Sequence, residues 1–297
     1  MSEDLTVSEG RLSAGVIGVG SMGRNHARVY DDIAETRLAG IYDADREQSE
    51  AVAEEFDTSA REIDALLDIV DLVSIAVPTE YHFELARRAI QAGVDILVEK
   101  PFVQDLDRGR ALVRMADRHD VTIQIGHVER FNPTVSVLGQ VVEDLDVIAI
   151  EAERLGPPPE RHIPDSAVMD LMIHDVDLVW SLLDGSVESC SGYETADGRY
   201  AVGTLEFDTD TLCTLTASRV SREQVRTISV SAKDCRVKAD LLEQRVEVHR
   251  KSDPKYAARE ESDCRGGDVV EHVSVADGEP LERELRSFAR TVVEGGT

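Results

Sequence analysis

The sequence predicts an α/β protein: an N-terminal doubly wound parallel sheet, then an α+β domain with a large, open-faced, mostly antiparallel sheet. Three observations predict it. The first 126 residues alternate apolar runs with helical stretches, a glycine turn joins the first run to the first helix, and beyond Gly126 short alternating strands take over.

In the first part, residues 14–17, 37–42, 71–77, 94–98 and 121–125 are apolar runs of strand length. Helical stretches at 25–33, 46–56, 81–92 and 106–118 lie between most of them. Strands separated by crossover helices pair in parallel. In the second part, residues 145–153, 187–193, 199–207, 211–218, 226–232, 236–239 and 244–250 alternate in period two, with Gly, Asp or Ser between them. An antiparallel meander has that rhythm. Helices are expected at 167–183 and 281–293. The expected division is a disordered extension over 1–12, a nucleotide-type domain over 13–126 and a second domain over 127–297. Helices on one face of the second sheet would leave the other open, so that face is expected to join copies of the chain in a homo-oligomer.

Charge and composition narrow the classes. With 59 acidic against 32 basic residues the formal net charge is -27, which excludes nucleic acid as a natural partner. The acids run along the whole length, as a chain suited to a salt-rich cytoplasm would have them, because molar salt shortens the Debye length to about 3 Å. No run approaches the roughly 20 apolar residues of a membrane span, and the leading MSEDLTVSEGRL is acidic where a secretory leader is basic and then apolar. A cytoplasmic protein is expected. Cys190, Cys213, Cys235 and Cys264 form no CxxC pair, so no metal site and no disulfide framework is expected.

The motif GVGSMG places Gly18, Gly20 and Gly23 in GxGxxG spacing between a strand and a helix. This is the Rossmann fingerprint: a tight turn at Gly18, a backbone that approaches a pyrophosphate at Gly20, close helix packing at Gly23, and helix amides near Ser21 and Met22 for the phosphates. Asp43 closes the second strand 20 residues after Gly23, where a carboxylate accepts from ribose hydroxyls. That charge would repel the extra phosphate of NADP, so NAD is the expected cofactor; a competing role for Asp43 is to cap the helix near Arg46.

Two further strand ends face the same crevice. AVPTEYH brings Pro78, Thr79 and, just inside the next helix, His82 toward the cofactor, and VEKPF brings Glu99, Lys100 and Pro101 there as well. Lys100 is the only lysine in the first 232 residues, in a chain that otherwise uses arginine. A compact ammonium can donate to one alcohol oxygen, which an arginine fork does less well. Further on, Asp170, His174 and Asp177 fall at i, i+4 and i+7 in MDLMIHDVDLVW, on one helix face. A histidine flanked by carboxylates suits a general base; a helix cap with a satisfied histidine is the bland alternative.

GVGSMG with Asp43, the EKP of Glu99 to Pro101, and the DxxxH of Asp170 and His174 together resemble the glucose-fructose oxidoreductase, inositol dehydrogenase and rhizopine-catabolism family over residues 13–293. GHVERFNP and DLMIHDVDL are most similar to the branch that includes UDP-N-acetylglucosamine 3-dehydrogenase. The resemblance implies hydride transfer between NAD and a hydroxyl-bearing carbon of a sugar or nucleotide sugar, with Lys100 and His174 at the nicotinamide and Asp170 on the substrate. Arg130 and Asn132 are expected to touch the substrate or its phosphates. Inositol or aldose dehydrogenases and NAD-assisted glycosidases use the same machinery. A silent dinucleotide sensor would keep Gly18, Gly20 and Asp43 without needing Lys100 or His174.

Overall fold

The computed structural model describes residues 10–158, 165–251 and 268–295, so Cys264 and the first nine residues of the expected extension lie outside the described residues. The chain divides into two compact units: Met1–Val128 with Glu279–Thr297, and Glu129–Gly278.

In the first unit β1 (Leu12–Ile17), β2 (Thr36–Tyr42), β3 (Leu72–Ile75), β4 (Asp95–Glu99) and β5 (Ile123–Gly126) form one sheet in the order β2-β1-β3-β4-β5. Every pairing is parallel. Successive residues point to opposite faces, which divides the core in two. Ala14, Val16, Leu72 and Leu97 serve one cluster; Ile17, Val73, Ile75, Ile96 and Val98 serve the other. The helices α1 (Ser21–Asp32), α2 (Arg46–Glu55), α3 (Ile63–Leu67), α4 (His82–Gln91) and α5 (Leu106–His119) follow strands or lie between them. The order reverses between β1 and β3, so the loops after those strands open the crevice at the sheet's carboxyl edge.

In the second unit α6 (Pro133–Val142) leads into β6 (Val147–Leu155), and a π-helical turn, Val168–Met172, opens α7 (Ile173–Leu182). Then come β7 (Val187–Glu194), β8 (Tyr200–Phe207), β9 (Leu212–Ser218), β10 (Val225–Ala232), β11 (Cys235–Asp240), β12 (Arg245–Lys251) and β13 (Asp268–Val273). The eight strands order as β13-β12-β11-β10-β6-β9-β8-β7, antiparallel except for the parallel pair β6–β9. Register sorts the two faces. Paired positions Val248, Val237, Val230, Ile150, Cys213 and Leu205 form an apolar row toward α6 and α7. The next row, His272, Glu247, Lys238, Ser229, Glu151, Thr214 and Thr204, is polar and lies on the opposite face.

The α/β architecture and mixed second sheet agree with the sequence reading. Four elements differ. The sequence reading did not anticipate α3, α6 or β13, and the last helix, α8 (Pro280–Glu294), belongs with the first unit instead of the second domain. Leu281, Leu285, Phe288 and Ala289 make a buried stripe on α8 that joins Ala27, Val29 and Tyr30 of α1 in one core cluster. A stripe at helical spacing shows that a face is buried, not which surface receives it.

Candidate active site

The glycine turn is built by contacts that exclude side chains. Gly18 has φ +87°, and a Cβ there would stand 2.7 Å from the carbonyl oxygen of Ala76. A Cβ on Gly23 would stand 1.7 Å from the carbonyl oxygen of Gly18, so α1 lies directly on the turn. Gly20 differs: a Cβ there would meet nothing within 4 Å. It caps α1 without a side-chain hydrogen bond, and no acid stands in the first turn. The positive end of the helix dipole therefore opens onto space that only glycine leaves clear, a cradle that fits a pyrophosphate. Ser21 is exposed there, while the side chain of Met22 packs back against the core.

Asp43 is oriented toward this turn. Its Oδ2 accepts from the Val19 amide at 2.7 Å and its Oδ1 from the Asp45 amide at 2.9 Å. The cap of α2 is Asp45, which accepts from the amides of Glu47 and Gln48, so the competing capping role for Asp43 does not hold. Together the turn, the open helix end and the carboxylate at the next strand fit a dinucleotide.

Of the other strand-end residues, His82 and Glu99 are engaged within the unit itself. Pro78 is exposed and Thr79 half-buried. His82, expected to touch cofactor, is buried instead: Nε2 lies 2.8 Å from the Val77 oxygen and Nδ1 3.0 Å from the Pro101 oxygen. Its ring ties the loop after β3 to the loop after β4. The side chain of Glu99 is likewise turned into the unit, where Oε1 meets His26 Nε2 at 3.0 Å. His26 Nδ1 meets Ser74 Oγ at 2.9 Å, and Tyr30 Oη meets the same hydroxyl at 2.8 Å. Glu284 of α8, fully buried with no hydrogen-bond partner on either oxygen, faces Glu99 and Tyr30. Burial, then the charge of Glu99, pushes its carboxyl up to about 9. Lys100 follows Glu99 at the strand end, half-buried.

In the second unit Asp170 lies in the π-helical turn and His174 in the first turn of α7, both half-buried. Arg219 Nη2 donates to Asp170 Oδ2 at 2.7 Å. Arg130 grips Asp177 through both oxygens, Nε to Oδ2 at 2.7 Å and Nη2 to Oδ1 at 2.6 Å. Asn132, expected on substrate, is buried: Oδ1 accepts from Thr134 N as the cap of α6, and Nδ2 reaches Glu129 and the Leu241 oxygen. Its polar atoms are spent on its own fold.

Sequence reasoning missed a buried ionic cluster. Arg154 donates from Nη1 to Glu129 at 2.7 Å and from Nη2 to Asp175 at 2.8 Å, with all three side chains at most 10% exposed. Through Asp175 this cluster fixes the first turn of α7. Strand parity could have found it, because Arg154 stands two and four residues from the buried Ala152 and Ile150 of β6. Among the described residues no group of three or more His, Cys, Asp or Glu side chains is placed to hold a metal ion, and no helix is long and apolar enough to cross a membrane.

Comparison with known proteins agrees with this architecture. Residues 12–127 match the model of the oxidoreductase family with an NAD-binding Rossmann fold, and residues 148–249 match the GFO/IDH/MocA C-terminal domain. The UDP-N-acetylglucosamine 3-dehydrogenase of Acidithiobacillus ferrooxidans is 37% identical over 248 residues, 81% of this chain and 77% of that protein. Its solved structure superposes with a TM-score of 0.87 at 32% identity, covering 97% of this chain and 90% of that one. An inositol 2-dehydrogenase of Rhizobium meliloti is 30% identical over 178 residues, 57% of this chain and 54% of that protein. With both family domains in order, the chain belongs to the NAD-binding GFO/IDH/MocA oxidoreductase family and is a dehydrogenase.

Proposed function

We propose that the chain moves a hydride between NAD and a hydroxyl-bearing carbon of a sugar, and that the sugar is carried on a nucleotide, as in UDP-N-acetylglucosamine. The observation that carries the cofactor half is the open Gly20 cradle beside an Asp43 carboxylate already bonded to the Val19 amide. A fixed negative charge at that position favours a free ribose hydroxyl over a 2'-phosphate, hence NAD over NADP. Bound there, the nicotinamide supplies the hydride acceptor. His174 takes the hydroxyl proton, Lys100 donates to the oxygen as it becomes a carbonyl, and Asp170 orients the sugar. The likeness to a UDP-N-acetylglucosamine 3-dehydrogenase supports the substrate half.

A screen by NADH absorbance in molar KCl tests the reading, offering UDP-N-acetylglucosamine, other UDP-sugars, free sugars and myo-inositol. Turnover confined to UDP-sugars is expected. Efficient oxidation of a free polyol with none of the UDP-sugars overturns the substrate assignment. Calorimetric titration tests the cofactor half, with NAD expected to bind several-fold more tightly than NADP. The uncovered face of the second sheet carries exposed Val202 and Leu212, which supports self-assembly; the solvent proposed for it is a salt-rich cytoplasm. Sedimentation in molar KCl tests that, and a monomer overturns it.

A further inference from the structure

Arg219 follows β9 directly, and only 6% of it is exposed. Its guanidinium donates from Nη1 to the Asp165 oxygen at 2.7 Å and from Nη2 to Asp170 Oδ2 at 2.7 Å, with a longer 3.4 Å contact to the Ser166 oxygen. Nε is buried with no hydrogen-bond partner. A buried arginine with an unsatisfied donor is a poor stability device, since an apolar residue of similar size would avoid the desolvation. Its contacts converge on one object, the residues that enter the π-helical turn and the carboxylate within it. The same segment is held a second time, where the Ala167 amide donates to the Gly198 oxygen at 2.7 Å. A planar fork that holds main chain and carboxylate at once fixes a side-chain rotamer in a way a point charge does not.

We infer that Arg219 is a positioning residue: by holding Asp170 Oδ2 and the chain entering the π-helical turn, it sets the carboxylate that orients the sugar. This rests on the proposed role of Asp170. On this reading the contacts of Arg219 lead to Asp170 and the chain before it, so its effect passes through Asp170, and the two residues act as one unit.

The test is a double-mutant cycle in the full chain with R219M, D170N and the pair, using UDP-N-acetylglucosamine and NAD in molar KCl. Each single variant is expected to lower kcat/KM by roughly 10- to 100-fold, the scale of a misplaced positioning group. The pair is expected to be no more than about threefold worse than the poorer single, because coupled residues are non-additive. R219K, which keeps the charge and loses the fork, should recover only part of the loss, and calorimetric NAD affinity should stay within about threefold of the parent. A strongly impaired D170N beside an unimpaired R219M, or fully multiplicative effects, overturns the inference and leaves the Asp170 role standing. A D170N variant with parental turnover overturns the Asp170 role itself. Should R219M not fold, R219K decides by the same cycle. A crystal structure of the Arg219 variant gives a readout independent of substrate: Asp170 is expected to change rotamer while α7 stays in place, and an unmoved carboxylate overturns the inference.

Discussion

The carbonyl oxygen of Gly18 occupies the position into which a side chain at Gly23 would grow, 1.7 Å from where its Cβ would lie. The glycines of the turn therefore do two different jobs. Gly23 is required by the protein's own packing, whereas Gly20 opens onto space with nothing within 4 Å. Gly23→Ala should cost at least about 3 kcal/mol, because the obstacle is backbone that cannot move aside. Gly20→Ala should leave the melting midpoint nearly unchanged while weakening NAD about tenfold or more by filling the cradle. Thermal denaturation beside calorimetric NAD titration separates the two. Equal stability losses at both glycines would remove the distinction.

Chemistry and cofactor binding should separate in the same way. His174→Ala and Lys100→Met are each expected to lower turnover by about 100-fold or more, the usual scale for a general base or a positioned donor. NAD affinity should remain within several-fold, since the glycine turn and Asp43 hold the cofactor independently. Steady-state rates with calorimetry check this. Near-parental turnover of the His174 variant would return the DxxxH helix to a packing role.

The buried cluster around Arg154 gives a stability prediction. Burial works against the arginine's charge, but Asp175 and Glu129 more than offset it and raise its pKa above the ordinary arginine value. Arg154→Met would leave two buried carboxylates with only the half-exposed Arg226, 3.6 Å from Glu129, and is expected to cost about 3–5 kcal/mol. Asp175→Asn in the same chain should recover part of that loss. Urea denaturation of the single and double variants tests it, and a purely additive loss would show that the cluster does not act as a unit.

How much of this was legible in the sequence follows from where each residue's constraint originates. Gly18 and Gly23 were readable because they share one tight turn between a strand and a helix, and Asp43 because the fingerprint fixes its spacing from that turn, although its partner Val19 stands 24 residues earlier. Arg219 was unreadable because its partner stands 49 residues earlier, joined to it only by sheet topology. His82, Glu99 and Asn132 were misread for the opposite reason. They stand where a ligand could come, but main-chain carbonyls, His26 and the end of α6 had already engaged them. Glu284 carried an unused signal. It lies three residues after Leu281 and four before Phe288, squarely on the buried stripe of α8, where a carboxylate calls for explanation.

Salt should matter more to this chain than to an ordinary one. The formal net charge of -27 makes the folded state repel itself, and about molar salt shortens the range of that repulsion to roughly 3 Å. The melting midpoint is expected to rise steadily from dilute to molar KCl. A flat or falling midpoint would show that surface ion pairs such as Arg24–Glu55 and Arg236–Glu151, which salt weakens, outweigh the general repulsion.

Glu284 makes stability depend on pH with a definite sign. Its carboxyl is pushed up to about 9 from an ordinary 4.5, first by burial and then by Glu99. The titratable side chains around it are Glu99 from β4 and His26 and Tyr30 from α1, linked through Ser74, while the stripe of α8 beside it is apolar. Between pH 4.5 and about 9 the folded chain keeps this proton and the unfolded chain has lost it. The unfolded state then binds fewer protons, so stability falls as pH rises through that window and levels off above it. The slope from this one group is at most about 1.4 kcal/mol per pH unit. Glu284→Gln removes the titration and keeps the shape. The variant should therefore gain on the parent steadily as pH rises from about 5.5 to 8.5, with the smallest difference at the acid end. Urea denaturation of both proteins across that range, in molar KCl, measures the gap. Parallel pH profiles would mean that Glu284 is already ionised in the folded chain, held by partners that its geometry does not provide.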